Sequence, residues 1–199
     1  MIQGVIMAQG PASAAYVAGA VQFDGSTTLG RATAFDGVAA DAPGFLLSVW
    51  VDVAAAADIA LSPTIAYQHQ GAGAPSWLVG LTPDGTTGHV FASFRSTDAG
   101  GMLEFGVAGD ADSWTAFGAW AHLALAVQTD LAAGLKVRQL LVDGVLQAVS
   151  GYDGDAAFDI GWAAPTTDAI VVGTDFTGAM ADLQLWPAWS DLSDPAVAA

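Results

Sequence analysis

The sequence contains no cysteine, no asparagine, a single glutamate and only four basic residues among its 199 positions. Without cysteine the chain has neither disulfides nor thiolate metal sites, so its stability must come from a hydrophobic core. No apolar run approaches the roughly 20 residues of a membrane-spanning helix, and we expect no membrane insertion. Four basic residues cannot form the Lys and Arg clusters that bind a phosphate backbone, so we expect no nucleic-acid partner.

The acidic residues are almost all aspartate. The chain carries 20 acidic residues against four basic ones, for a formal net charge of −16, and Glu104 is the only glutamate. Glutamate favours helices, whereas aspartate favours turns and caps. Together with 24 glycines, this composition predicts a β protein with many loops. Its charge favours solubility or the binding of divalent cations.

Apolar and polar residues alternate in short segments that are separated by turn signals. The clearest segment is 45–53, FLLSVWVDV, whose odd-numbered residues are all apolar and share one face. The Asp-Gly pair at 143–144 suits a type I′ turn and predicts a hairpin between 136–142 and 145–149. Further strands are predicted at 4–7, 21–29, 77–82, 88–95, 102–107, 120–128, 170–172 and 180–186. This series predicts an all-β fold, a two-sheet antiparallel sandwich.

Two segments receive a more specific prediction. In the last strand, 180–186, alternation places Ala181, Leu183 and Leu185 on one face and Asp182 and Gln184 on the other. The Ala-rich stretch 54–60 is too short for a stable helix, and we expect a loop or a single turn there.

We divide the chain into an N-terminal arm, residues 1–20, and one domain, residues 21–199. The arm has two interpretations that the residues leave open, an added edge strand or an arm that contacts other copies in an assembly. The N-terminus has neither a basic region nor the apolar core of a secretory signal, so no export signal is expected.

Four fragments, taken in order, resemble the laminin-G-like jelly-roll domains of the concanavalin A-like lectin/glucanase superfamily. They are VQFDGSTTL at 21–29, FLLSVWV at 45–51, WAHLALAVQTD with QLLVDGVLQ across 120–147, and IVVGTDFTGAMADLQLW at 170–186. In that family a Phe-Asp-Gly turn ends the first strand, a Trp-x-His strand precedes an Asp-Gly hairpin, and a Phe-x-Gly turn leads into the closing strand. The resemblance implies a jelly roll whose closing strand pairs back near the turn at 23–25.

The residues do not fit the chemistry of the superfamily's glucanases. Those enzymes use two carboxylates about 5.5 Å apart, normally two glutamates. Asp110 and Asp112 lie in a polar loop with no apolar setting to raise a carboxyl pKa. His69, His89 and His122 lie outside any nucleophile motif, and His122 falls where the family has a strand histidine. We therefore expect no catalytic residue and no enzymatic activity.

The resemblance also implies two kinds of binding site. Many members hold a structural Ca²⁺ where the first turn meets the closing strand, and the matching positions are Asp24 and Asp182. Alternatively, Asp24 bonds its own backbone in a turn and Asp182 is a solvated strand residue. Lectin sites need an aromatic platform, for which Trp77, Trp114 and Trp162 are the candidates near loops, although tryptophans also fill cores.

The function predicted from these features is that of a non-enzymatic structural or adhesive module in a larger assembly. We predict that this assembly is a bacteriophage virion, in which the protein is a head-decoration or tail-fibre protein. Its predicted partners are other copies of itself, other virion or surface proteins, and host glycans. The alternative is a secreted or cell-surface carbohydrate-binding module, lectin-like and calcium-dependent. Both rest on analogy of fold, which does not determine function.

Overall fold

The computed structural model describes residues 19–31, 41–42, 44–69, 76–84, 87–95, 102–105, 113–114, 116–129, 137–149, 160–161 and 170–194. The predicted arm lies outside these residues apart from its last two positions, as does the predicted strand at 4–7. The domain boundary at residue 21 therefore stays a prediction. None of the helices in the described part is long and apolar enough to span a bilayer.

Within the described ranges, strands form two larger antiparallel sheets and one short pair, and the predicted all-β fold is confirmed. The first sheet consists, in spatial order, of β1 (Val21–Asp24), β15 (Thr177–Trp186), β4 (Gly44–Val53), β10 (Trp120–Gln128), β11 (Val137–Val142) and β12 (Val145–Leu146). The second consists, in spatial order, of β2 (Leu29–Arg31), β14 (Ile170–Thr174), β5 (Thr64–His69), β6 (Ser76–Asp84), β7 (Thr87–Arg95) and β8 (Met102–Phe105). β9 (Ser113–Trp114) pairs with β7, and β3 (Asp41–Ala42) pairs with β13 (Ile160–Gly161).

Strand β4 shows how the sequence pattern becomes a core. Its odd-numbered side chains are exposed by no more than 1%, and the even-numbered ones between them are partly exposed. Across the sandwich, the ring of Phe45 packs edge-on against Trp77 and Phe94, with centroids 5.0 and 4.9 Å away. Burying a side chain of this size contributes roughly 1.5–3 kcal/mol. The predicted inward face of 45–53 is confirmed.

The hairpin predicted around the Asp143-Gly144 pair is present. Asp143 and Gly144 have φ angles of 50° and 75°, as a type I′ turn requires. β6 and β7 pair along their whole length, so β6 continues through Pro83 and Asp84, beyond the predicted end at residue 82. The stretch 54–60 contains one turn of 3₁₀-helix, Ala56–Ile59, and that prediction is also confirmed.

The segment 170–186 connects the two sheets. β14 lies in the second sheet and β15 in the first, so the turn between them crosses the sandwich. Gly25 N–H donates to the Phe176 carbonyl over 2.9 Å, and the rings of Phe23 and Phe176 meet edge-on at 5.7 Å. A Cβ at Gly173, whose φ is 83°, would overlap the Phe23 ring. The closing strand therefore pairs back beside residues 23–25, as predicted.

A bulge in β15 breaks the predicted alternation. The pairing with β4 shifts register between Ala181 and Gln184, and Asp182 in between has a φ of 51°. Aspartate tolerates this left-handed conformation better than most residues do. Ala181 lies opposite Trp50, outside the sandwich, whereas Leu185 reaches the core. The prediction that Ala181 and Leu185 share a face is wrong, because the extra residue reverses the alternation.

Candidate functional site

Side chains of the first sheet alternate between the inter-sheet core and an outer face that points away from it. We call the outer face near the end of β4 the open half, and its residues are Ser48, Trp50, Asp52, Trp120 and His122. We call the adjoining part the covered half, and its residues are Leu46, Ala124, Ala126 and Leu141. β4 and β10 contribute to both, since they pair from Trp120 with Asp52 to Gln128 with Gly44.

The covered half is closed by the chain that follows β15. Leu192 is only 5% exposed there, and Leu192 and Trp189 belong to one apolar cluster with the covered half. At Gly44 this chain passes so close that an added Cβ would lie 2.6 Å from the Trp189 nitrogen. Small outward side chains, Ala124 and Ala126, leave the space that the segment occupies.

One side chain of the sheet holds this segment in place. Gln139 donates from Nε2 to Asp191 Oδ1, and its Oε1 accepts from Leu192 N–H, each over 2.8 Å. Asp191 also accepts from the hydroxyl and the N–H of Ser193. These hydrogen bonds hold the pKa of the Asp191 carboxyl below its ordinary value.

In the open half, an indole and an imidazole lie side by side. The rings of Trp50 and His122 are 5.1 Å apart with their planes inclined at 43°. A 2.9 Å hydrogen bond joins His122 Nε2 to Ser48 Oγ. All three side chains are partly exposed. The pairing of β4 with β10 thus makes one surface with an aromatic centre and a polar edge.

The backbone of His122 is also fixed, by two hydrogen bonds with Asp143. Its N–H donates to Asp143 Oδ1 over 2.8 Å, and its carbonyl accepts from Asp143 N–H over 2.9 Å. Burial lowers the pKa of the His122 imidazole, against the opposing charge of Asp143. The ring is therefore uncharged at neutral pH, with one nitrogen that donates and one that accepts.

Asp52 supplies the open half with an unsatisfied acceptor. Its Oδ1 atom is buried and accepts no hydrogen bond from the residues that the structure describes. Asp52 lies opposite Trp120 on one side and Ala179 on the other. A buried acceptor without a partner costs about 1–3 kcal/mol. Because Oδ1 is buried, a hydroxyl or amino donor of a ligand would supply the missing partner only after the Asp52 side chain turned outward.

Of the three tryptophans predicted as an aromatic platform, Trp77 lies in the core. Trp77 is 1% exposed, and its Nε1 donates to Gln68 Oε1 over 3.0 Å inside the core. No face of its ring is available to a sugar, so Trp77 is a core residue and its prediction as a platform is corrected. Trp114 pairs with Gly88 at the backbone, and Trp162 lies outside the described residues. Both stay predictions.

The two aspartates predicted to hold calcium lie apart. Asp24 pairs with Thr177, and Asp182 follows about five residues later in β15, or roughly 17 Å along an extended strand. Asp24 Oδ1 accepts from Ser26 N–H, Ser26 Oγ and Thr27 N–H at 2.8–3.0 Å, which confirms the alternative of a turn residue and lowers the Asp24 pKa. The prediction of one shared site is therefore wrong.

Other metal ligands do not compensate for this separation. Burial raises the pKa of Asp182, which disfavours its charged form. The described ranges contain no group of three or more His, Cys, Asp or Glu side chains that could hold an ion.

The sequence did not predict the open half as a site, although it predicted the outward side chains of β4 and the motif of β10 that form it. The alternation in 45–53 already put Ser48, Trp50 and Asp52 on the less buried face, and the Trp-x-His motif was identified in β10. What it lacked was the register that places His122 directly opposite Trp50. Neighbouring strands far apart in sequence carry no local signal of their pairing.

Comparison with known proteins shows the fold alone. No protein-family model matches the chain, and no curated protein matches it. Among solved structures, the botulinum neurotoxin serotype D binding domain is similar with a TM-score of 0.56 and 9% identity, over 89% of this chain and 40% of that one. The LG1–3 region of the laminin alpha2 chain is similar with a TM-score of 0.50 and 14% identity, over 88% of this chain and 32% of that one. The chain thus spans less than half the length of either.

A third similar structure is the carbohydrate-binding module CBM40 of the Ruminococcus gnavus IT-sialidase. Its TM-score is 0.49 at 14% identity, over 91% of this chain and 97% of that one. The first two matches agree with the predicted two-sheet jelly roll.

Proposed function

We propose that the protein is a non-catalytic carbohydrate-binding module whose saccharide lies on the open half. The observation that carries this proposal is the grouping of Trp50, His122 and Ser48 beside the unsatisfied carboxylate oxygen of Asp52. An aromatic surface with a few placed polar groups is the usual composition of a small-ligand site.

The chemistry of a sugar ring matches this arrangement. A pyranose has a face of C–H groups and a rim of hydroxyls. An indole offers a large rigid apolar surface that costs little conformational entropy to order. With the ring over Trp50, its hydroxyls face His122 and Asp52. Nε2 of the imidazole is bonded to Ser48, so Nδ1 is the nitrogen that a hydroxyl would meet, and Asp52 would accept from a second hydroxyl once its side chain turned outward.

The structural neighbours support a binding role by analogy of fold. The serotype D botulinum structure is named as a binding domain, and a shared fold at 9% identity transfers no ligand. The proposal therefore depends on the open half itself. It corresponds to the alternative prediction from the sequence, a lectin-like module.

A glycan array tests the proposal, with the wild-type protein and the Trp50→Ala and Trp186→Ala variants. Trp186 is 38% exposed on the same outer face and lies opposite Leu46, in the covered half, so it controls for the loss of an exposed indole. We expect saturable binding by wild type and Trp186→Ala, and a loss of about tenfold or more for Trp50→Ala. Equal binding by all three would contradict the site, and the absence of saturable binding would contradict the function.

Repeating the array with a chelator addresses calcium. Because the two predicted ligands lie apart, we propose that binding is independent of calcium, and chelation is expected to leave the affinities unchanged. The role in a bacteriophage virion, the contacts with other copies and the surface or extracellular location stay predictions, since no described feature bears on them.

A further inference from the structure

We infer, on the basis of the proposed function, that the open half takes neutral sugars and amino sugars and rejects acidic ones. The inference concerns the charge of the ligand, which the aromatic platform alone does not determine. It rests on where the described charges lie along the strands.

Several acidic residues of the described part lie at the end of the sandwich that holds the open half, whereas Asp191 and Asp194 lie in the segment over the covered half. This end is where β4 finishes at Val53, beside the starts of β10 and β15. The acidic residues at this end are Asp24 at the end of β1, Asp52 in β4, Asp58 in the 3₁₀-helix, Asp143 in the β11–β12 turn and Asp175 in the β14–β15 turn.

The arginines of the described part lie at the opposite end. Arg138 is opposite Val127, which pairs with Phe45 at the start of β4. Arg95 is opposite Ser76, and Arg31 is opposite Ile170, where β6 and β14 begin. From Phe45 to Trp50 an extended strand covers roughly 17 Å. This exceeds the Debye length of about 8 Å at physiological ionic strength, so a charge at the strand positions of the arginines is largely screened from the acidic end.

An acidic sugar would therefore enter a field of like charge. Its carboxylate would approach Asp52 and Asp143 with no described basic side chain at this end of the sandwich to pair with it. Two like charges about 4 Å apart repel by several kcal/mol near a protein surface. A hydroxyl group avoids this repulsion, and an ammonium group reverses its sign.

Asp52 adds a contact that favours ligands with a hydroxyl or an ammonium group over ligands with a carboxylate. Its buried Oδ1 lacks a hydrogen-bond donor among the described residues. A hydroxyl satisfies the oxygen with a charge-assisted hydrogen bond, and an ammonium adds an ion pair. The expected order of affinity is amino sugar, then neutral sugar, then acidic sugar.

The test is an array that includes neutral saccharides, oligomers of unacetylated glucosamine, and sialylated and uronate-containing glycans. We expect the saturable hits to lie among the neutral and amino sugars. Strongest binding to acidic glycans would overturn this inference while leaving the proposed function intact. No saturable binding to any class would instead contradict the proposed function.

A variant that changes one charge isolates Asp52. For Asp52→Asn we expect the affinity for the amino-sugar oligomer to fall about tenfold. The affinity for the best neutral sugar should fall by a smaller factor, because an amide oxygen still accepts from a hydroxyl but does not form an ion pair with an ammonium. Asp194→Asn removes the same charge in the C-terminal segment and should change neither. If Asp52→Asn lowered both affinities equally, or neither, the assigned role of Asp52 would be wrong.

Discussion

The two halves of the outer face share strands β4 and β10 and differ in the outward side chains that these strands present. In the covered half, Ala124 and Ala126 leave room, and the chain after β15 packs there through Leu192. In the open half, Trp50 and His122 fill the same layer with their own rings and remain partly exposed. The size of the outward side chains decides which half can accept another layer of protein.

This difference separates residues that stabilise the fold from residues that are available to a ligand. Apolar contact in the covered half is completed within the chain, and Gln139 satisfies the polar groups of the segment above it. In the open half, the Trp50 and His122 rings are partly exposed, and Asp52 Oδ1 has no hydrogen-bond donor among the residues that the structure describes. The covered half should therefore respond to mutation mainly in stability, and the open half mainly in binding.

Truncating Leu192 should give the largest change in stability. Leu192→Ala removes a buried side chain from a small apolar cluster, so we expect the free energy of unfolding to fall by about 2–3 kcal/mol. Urea unfolding measures this, and saccharide binding should be unchanged. A loss below about 0.5 kcal/mol would show that the segment does not pack on the sheet as described.

Adding one methyl group at Gly44 should give a smaller loss. Gly44→Ala places a Cβ against the backbone of Ala188 and Trp189, and overpacking of this kind typically costs about 1–3 kcal/mol. Gly30→Ala is the matched control, because the nearest atom to its new Cβ is 4.0 Å away. Equal thermal shifts for the two variants would contradict the close crossing at Gly44.

The open half should respond to pH near neutrality. Burial lowers the pKa of His122 below its ordinary 6.5, so the unfolded chain binds this proton more readily than the folded chain does. Stability is therefore lost as pH falls from 6.5 toward the folded pKa. His122→Gln should flatten the stability profile in that range. If wild type and variant had parallel profiles from pH 7 to 5, the histidine would not be the group responsible.

The covered half should respond only in stronger acid, and by the smallest amount. The pKa of Asp191 is lowered from 3.8 by its hydrogen bonds, so its contribution is present above pH 3.8 and is lost as pH falls through the folded pKa. Asp191→Asn should remove this acid-dependent loss. Unfolding midpoints measured from pH 5 to pH 2 check it, and a loss already present at pH 6 would contradict the assignment.

Local pattern was enough to predict most of the fold. Alternation in 45–53 predicted which side chains of β4 are buried, and the Asp143-Gly144 pair predicted its hairpin, because each depends on neighbours in sequence. The bulge at Asp182 was not predicted, because an aspartate in a strand sequence does not distinguish a regular strand from one with an extra residue. That one residue changed the face of Ala181 relative to Leu185.

The candidate site was predicted less well, because it depends on contacts between distant residues. Trp77 lies near a loop in sequence, yet the packing of the two sheets places it against Phe45 in the core. Asp24 and Asp182 match the ends of a family motif, yet the register of β1 with β15 separates them. Conversely, Trp50 and His122 are more than 70 residues apart in sequence and lie side by side.

The central claim is that a saccharide binds the open half and not the covered half. The indole N–H signals of the seven tryptophans can be assigned by single Trp→Phe variants and followed by NMR while the best glycan from the array is titrated. We predict that the Trp50 and Trp120 signals shift with a common saturation point and that the Trp189 signal does not move. A titration that shifts Trp189 and leaves Trp50 unchanged would contradict the account.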